Sequence, residues 1–334
     1  MADIAHPLPP RTVSRAPLYA VVGALIAVAA LLQFADPARL PAAQNFVLVF
    51  SSLLIEAMPF ILLGALVSAF IEVFVPARMF EKLALLPRPL QLPASAMAGM
   101  AFPVCECGSV PVARRLASKG LAPGAAVTFM LAAPILNPIV LASTWVAYRG
   151  RDIMWPMLLG RAGLGLLAAI AVGWVIGSRS KTEVLRARPA DVEEHDHSHG
   201  GRRHAAFFGH LSGDFVFMGR YLVFGAAVAA ALQTFVPQSV IGSVAGAPVV
   251  SLLAMMGLAF LLSLCSESDA FVAASFVQFG VGAQLAFLVF GPMVDTKLGF
   301  LYTATFSKGF FRTVVLTVAG VTLVGCLWIE VLIG

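Results

Sequence analysis

The feature that most constrains this chain is a series of long, continuous apolar runs, at 17–34, 45–75, 93–118, 122–147, 153–178, 213–236, 248–279, 283–304 and 308–333. A bilayer core of ~30 Å takes about 20 apolar residues in a helix. Water is excluded as the general solvent of such runs, because only 12% of the 334 residues are charged, about half of what a soluble domain carries. In lipid every backbone donor and acceptor must be paired internally, which leaves helices or a closed barrel. A barrel needs alternating hydrophobicity, and these runs do not alternate. The expected fold class is therefore an all-α integral membrane protein, polytopic, in the cell (inner) membrane.

The formal net charge is +5, which in a soluble chain would suggest nucleic acid. Here the basic residues stand mostly between the runs, where they set topology, so lipid rather than nucleic acid is the expected partner. In the first run the small triplet Ala27-Val28-Ala29 lies inside the apolar stretch, and no cleavage pattern marks its end at Asp36-Pro37. That run reads as a retained helix.

The composition divides the chain into an N-terminal region with an extra transmembrane helix (1–44), a first repeat (45–178), a polar linker (179–212) and a second repeat (213–334). The repeat rests on ordered landmarks. Phe74-Val75-Pro76 is answered by Phe235-Val236-Pro237, Cys105 by Cys265, Gly120 by Gly280, Pro134 by Pro292 and Asn137 by Asp295. Shared hydropathy alone would not keep cysteine, glycine and proline in register, and such repeats are a common way to build transporters. If the runs 93–118 and 248–279 are re-entrant and the N-terminus is inside, most basic loops and the linker fall inside as well. That arrangement has seven full spans, an outside C-terminus and halves of opposite orientation.

Two motifs interrupt the apolar runs. The first is Phe102-Pro103-Val104-Cys105-Glu106-Cys107-Gly108-Ser109-Val110-Pro111. Proline removes a backbone donor, so a non-helical peptide is expected between Pro103 and Pro111, with a new helix after Gly108. Irregular backbone at membrane depth is tolerated only inside protein or beside a water-filled cavity. The second motif is Cys265-Ser266-Glu267-Ser268-Asp269-Ala270-Phe271. Charges at membrane depth cost at least ~2.5–3.5 kcal/mol and tend to mark ion or proton pathways. A third pair, Pro134 to Asn137 and Pro292 to Asp295, sets a polar residue three positions after a proline expected to break its helix, and Lys297 is placed to neutralise Asp295 or Asp269.

The expected substrate-binding residues are thus Cys105, Glu106, Cys107, Cys265, Glu267, Asp269, Asn137 and Asp295. Thiols are soft ligands, so Cys105, Cys107 and Cys265 are the candidates for holding a metal or metalloid. Cys326 stands alone in the last run and reads as a small buried hydrophobe. Glu56 is deep enough to contribute to a pathway, whereas Glu72 lies near a run's end and reads as a snorkelling side chain. The linker histidines His195, His197, His199 and His204 have metal-binding composition without fixed spacing, and read first as a solvated linker.

At these motifs the sequence resembles the large predicted-permease family that includes the ArsP-like organoarsenical efflux permeases. The resemblance is carried by Pro103 through Pro111, by Ala132-Ala133-Pro134 with Asn137-Pro138, and by Cys265 through Phe271. It implies a secondary permease, not an enzyme, that moves a small thiophilic solute such as a trivalent arsenical or a soft metal species. In that family serine often stands where this chain has Glu106, and the added carboxylate points toward cation or proton coupling. The alternatives are therefore a proton-coupled permease for another small solute or metal cation and, in a different class, a membrane thiol oxidoreductase. No cofactor is expected, and a homo-oligomer is left open as a partner.

Overall fold

A computed structural model describes residues 41–76, 78–80, 86–102, 104–177, 179, 181–186, 203–235 and 248–333. The first apolar run and His195, His197 and His199 lie outside these residues. Apart from one antiparallel bridge, Leu185 to Phe306, the regular structure among the described residues is helical. The chain is an all-α polytopic membrane protein, with five described helical segments long and apolar enough to cross a bilayer.

The helices are α1 (Pro41–Phe74), α2 (Arg88–Ala101), α3 (Glu106–Ser118), α4 (Pro123–Leu136), α5 (Pro138–Ala147), α6 (Met154–Ile176) and the short α7 (Lys181–Val184). They continue as α8 (Arg203–Phe235), α9 (Pro248–Leu262), α10 (Asp269–Ser275), α11 (Val281–Phe290), α12 (Thr296–Thr305) and α13 (Phe310–Ile333). Among the described residues, and leaving α7 and the helical residues 78–80 aside, α1 to α6 and α8 to α13 follow the same order: one long helix, four short ones and a full-length one. Prolines set several boundaries. Phe102, which precedes a proline in the sequence, takes the extended backbone such a position favours. Pro138 stands at the first position of α5, where its missing N–H is not needed.

Two expectations are corrected here. Helix α3 starts at Glu106 and contains Pro111, so Glu106, Cys107 and Gly108 form its first turn rather than an extended loop. The reason is positional: Cys105 in extended conformation already ends the irregular stretch, and a proline one turn further in removes a single internal bond without reversing the helix. The chain also passes helically through Pro134 and breaks only at Asn137, because the following Pro138 disfavours helical backbone there.

Side-chain contacts sort the helix ends into two sets. At one end Lys119 Nζ donates to the carbonyls of Glu72 and Val75, Arg114 reaches Arg186 O and Thr305 O at 2.9 and 3.2 Å, and Arg179 reaches Thr313. At the other end Arg151 donates to Ala274 O at 2.9 Å, Tyr148 to Gln284 at 3.0 Å, Gly282 N to Glu330 at 2.6 Å and Asn45 to Thr234. Glu72 is paired there, its carboxylate 3.3 Å from Arg115 and 3.7 Å from Lys119. Arg115 also reaches Asp214 of α8, which accepts from Ser68 of α1 at 2.8 Å.

Candidate functional site

Between those two ends the helices are interrupted, and the interruptions bring the two cysteine motifs together. The first gap separates α2 from α3, with Cys105 as the residue before the new helix. Close below it α1 crosses α3 at glycine. A Cβ on Gly64 would stand 2.5 Å from Gly108 Cα, so only two glycines allow this approach. The second gap separates α9 from α10. It opens at Ser263, a buried residue with φ of 47°, in the left-handed region that few non-glycine residues adopt. Ser263 is held there by accepting from Thr296 N and donating to Phe260 O.

Cys105 Sγ, a Glu106 carboxylate oxygen and Cys265 Sγ lie within 4.8 Å of one another, all three residues buried. Cys107 is buried in the first turn of α3, two residues on from Cys105. The Cys265 thiol donates to Glu267 at 2.9 Å, and the Ser266 hydroxyl donates to Glu106 Oε2 at 3.1 Å. Thus a carboxylate from the first motif is bonded by the second. Ser268 reaches Glu56 of α1 at 3.3 Å, bringing that deep carboxylate to the edge of the same region.

Asp295 accepts from Leu298 N at 2.6 Å and so starts α12. Its other oxygen faces Lys297 Nζ at 3.6 Å, and Lys297 faces Glu106 Oε1 at 3.7 Å. Lys297 therefore neutralises Asp295 and Glu106, not Asp269. Asp269 is paired instead with Arg161 of α6, Nη2 to Oδ2 at 2.8 Å. The same guanidinium holds Ser266 O at 3.1 Å and Thr144 Oγ1 of α5 at 2.8 Å. Asn137 is buried, and its side-chain oxygen accepts from Ile139 N and caps α5. Cys326 is buried in α13.

Arg161 is the residue that sequence reading overlooked. The signal was present, as an arginine in the middle of the run 153–178, and an ionisable residue at such a place calls for a partner. Chemically, the arrangement offers soft sulfur and hard carboxylate donors from two distant parts of the chain, within one buried volume. That combination suits a thiophilic cation or metalloid.

The sequence profile of a family described as "Predicted permease" matches residues 42–330. The chain is similar to the UPF0718 protein YcgR of Bacillus subtilis, 41% identical over 286 residues, covering 84% of this chain and 96% of that protein. It is also similar to a protein of Streptococcus mutans named "Putative two-component membrane permease complex subunit", 36% identical over 287 residues, covering 85% of this chain and 94% of that one. No solved structure matches the chain.

Proposed function

We propose that this chain, which belongs to the predicted permease family, is a secondary permease of the cell (inner) membrane whose cargo is a small thiophilic solute. The observation that carries the reading is the buried convergence of Cys105, Glu106 and Cys265 within 4.8 Å. A trivalent arsenical or a soft metal ion is the cargo such donors favour. Cys107, Glu267 and Asp295 complete the surround, and efflux is the direction proposed.

The two segments 45–178 and 213–334 act as halves, each contributing one thiol motif. The matched order of helix lengths in α1 to α6 and α8 to α13 supports this reading. The ends of α1 and α3 lie together through Lys119, which supports a re-entrant path for the first motif and an inverted relation between halves. Alternating access by rocking such halves about a central site is the mechanism proposed. By likeness to the Streptococcus mutans relative, whose name makes it one subunit of a two-component complex, a second membrane subunit is proposed as a partner.

The carboxylates favour a second reading within the transporter class, in which a proton or metal cation is the coupled or carried species. The experiment that tests the function is efflux and uptake in proteoliposomes, screened with trivalent organoarsenicals and soft divalent metals, with and without a pH gradient. Cargo movement that depends on Cys105 and Cys265 is the expected result. Movement of neither class by the intact protein overturns the reading. A thiol-redox titration separates a carrier from an oxidoreductase, since only the latter must cycle a disulfide.

A further inference from the structure

The thiol centre holds more carboxylates than cations. Glu56, Glu106, Glu267, Asp269 and Asp295 lie in or around it, against Arg161 and Lys297 among the described residues. The two cations are held differently. Arg161 is fixed by three short bonds, to Asp269, Ser266 and Thr144. Lys297 is fully enclosed, at 3% exposure, but its ammonium stands 3.7 Å from Glu106 and 3.6 Å from Asp295, beyond hydrogen-bonding distance of either oxygen. Those two oxygens, Glu106 Oε1 and Asp295 Oδ2, are buried and have no hydrogen-bond partner among the described residues. Unpaired buried carboxylate oxygens are rare and costly. Glu106 Oε2 is already taken by Ser266 and Asp295 Oδ1 by Leu298 N, so the unpaired oxygens are the ones turned toward the ammonium.

We propose that Lys297 is a tethered competitor for the cation place at Glu106: an ammonium that a cationic thiophilic cargo displaces on entry and that helps to expel it on release. The proposal rests on the reading of Cys105, Glu106 and Cys265 as the cargo site, and it adds that the cargo is positively charged where it meets Glu106. The chemistry follows from charge. An ammonium on a flexible four-carbon stem is a movable point charge. Near Glu106 it lowers the attraction of the site for a second cation, and it restores the charge balance once that cation leaves. Asp295 is the alternative seat: it draws Lys297 off Glu106 while cargo is bound. A permease needs such weakening, because a cargo bound too tightly is not released.

The test is binding of Cd²⁺ to the full-length chain in detergent, followed through cadmium–thiolate absorption. Lys297→Met should bind Cd²⁺ at least on the order of tenfold more tightly than the unmodified protein, yet turn over more slowly in proteoliposomes. Asp295→Asn should bind it more weakly, since Lys297 then has only Glu106. The double variant Lys297→Met/Asp295→Asn, which leaves no stranded charge at position 295 or 297 and the same Glu106 carboxylate as Lys297→Met, should match Lys297→Met. A merely structural lysine would weaken binding in both single variants, so the opposite signs are the distinguishing result. Unchanged or weaker binding in Lys297→Met and the double variant, while Cys105→Ser abolishes the cadmium signal, overturns the role of Lys297 alone. If Cys105→Ser leaves the signal intact, the site reading itself falls and the competitor role falls with it.

Discussion

Replacing Arg161 with methionine should strand a buried carboxylate. The guanidinium is wholly enclosed and the Asp269 side chain is 4% exposed. Its bonds measure 2.8 Å to Asp269, 3.1 Å to Ser266 O and 2.8 Å to Thr144. Methionine keeps part of the volume but leaves Asp269 without a counter-charge and the Ser266 carbonyl without its donor. Removing one member of a buried ion pair costs about 3–5 kcal/mol. Removing both should cost far less, because the penalty lies mainly in the stranded charge, so Arg161→Met/Asp269→Asn should return to within ~1 kcal/mol of the starting stability. Asp269→Asn alone strands the arginine at a similar cost, so the coupling between the two substitutions would be at least about 5 kcal/mol. The assay is equilibrium unfolding of all four members of this cycle in mixed micelles. If Arg161→Met costs less than ~1 kcal/mol, or if the two effects add, the pair does not hold the second break in place.

The other expected outcomes are simpler to read. Cys105→Ser, Cys107→Ser and Cys265→Ser should each impair efflux and tolerance of trivalent organoarsenicals in an arsenic-sensitive host, while Cys326→Ser should not; wild-type behaviour in all three would make these cysteines packing residues. Glu72→Gln should lower stability by about 1 kcal/mol, screened because its side chain is 23% exposed, and a silent substitution would discount the contacts to Arg115 and Lys119. Gly64→Ala should destabilise by ~1–3 kcal/mol through overpacking against Gly108, read as a lowered unfolding midpoint. His197→Cys should stay unlabelled by an impermeant thiol reagent in intact cells; labelling from outside would reject the inverted arrangement.

How much of this was legible beforehand depended on the range of the signal. Helix positions were readable because each run carries its own hydropathy, and the run 308–333 differs from α13 by only a few residues. The approach of Cys105 to Cys265 was foreshadowed by sequence landmarks alone, the matching order of Cys105, Gly120 and Pro134 with Cys265, Gly280 and Pro292. Partner choice was not. Lys297 had two carboxylates within sequence reach and chose Asp295 with Glu106, a decision made by the fold of α12 against α3. Arg161 and Asp269 are 108 positions apart, and nothing local marks them as a pair. The helical passage through Pro134 was likewise hidden, because local preference names prolines as breakers while the next proline, at 138, sets the actual boundary.

The helix breaks also explain how carboxylates come to be tolerated at this depth. A carboxylate at the bilayer centre costs ~2.5–3.5 kcal/mol on insertion scales. Glu106 stands in the first turn of α3, and Asp295 is the capping residue of α12. Both therefore sit at the positive end of a helix, where a negative charge gains about 0.3–1 kcal/mol, or ~2 in partly buried settings. That gain covers part of the cost, and a shared ammonium, held loosely, covers more. Asp269 is different. It opens α10, a helix of only seven residues, which has few aligned peptide units to sum into a dipole. It is also the carboxylate given a close, fully buried arginine. The strength of each cation's hold thus runs opposite to the help available from the helix that follows. The tight pair at Asp269 fixes the second motif in place, and the loose one at Glu106 leaves the charge beside the thiols open to exchange.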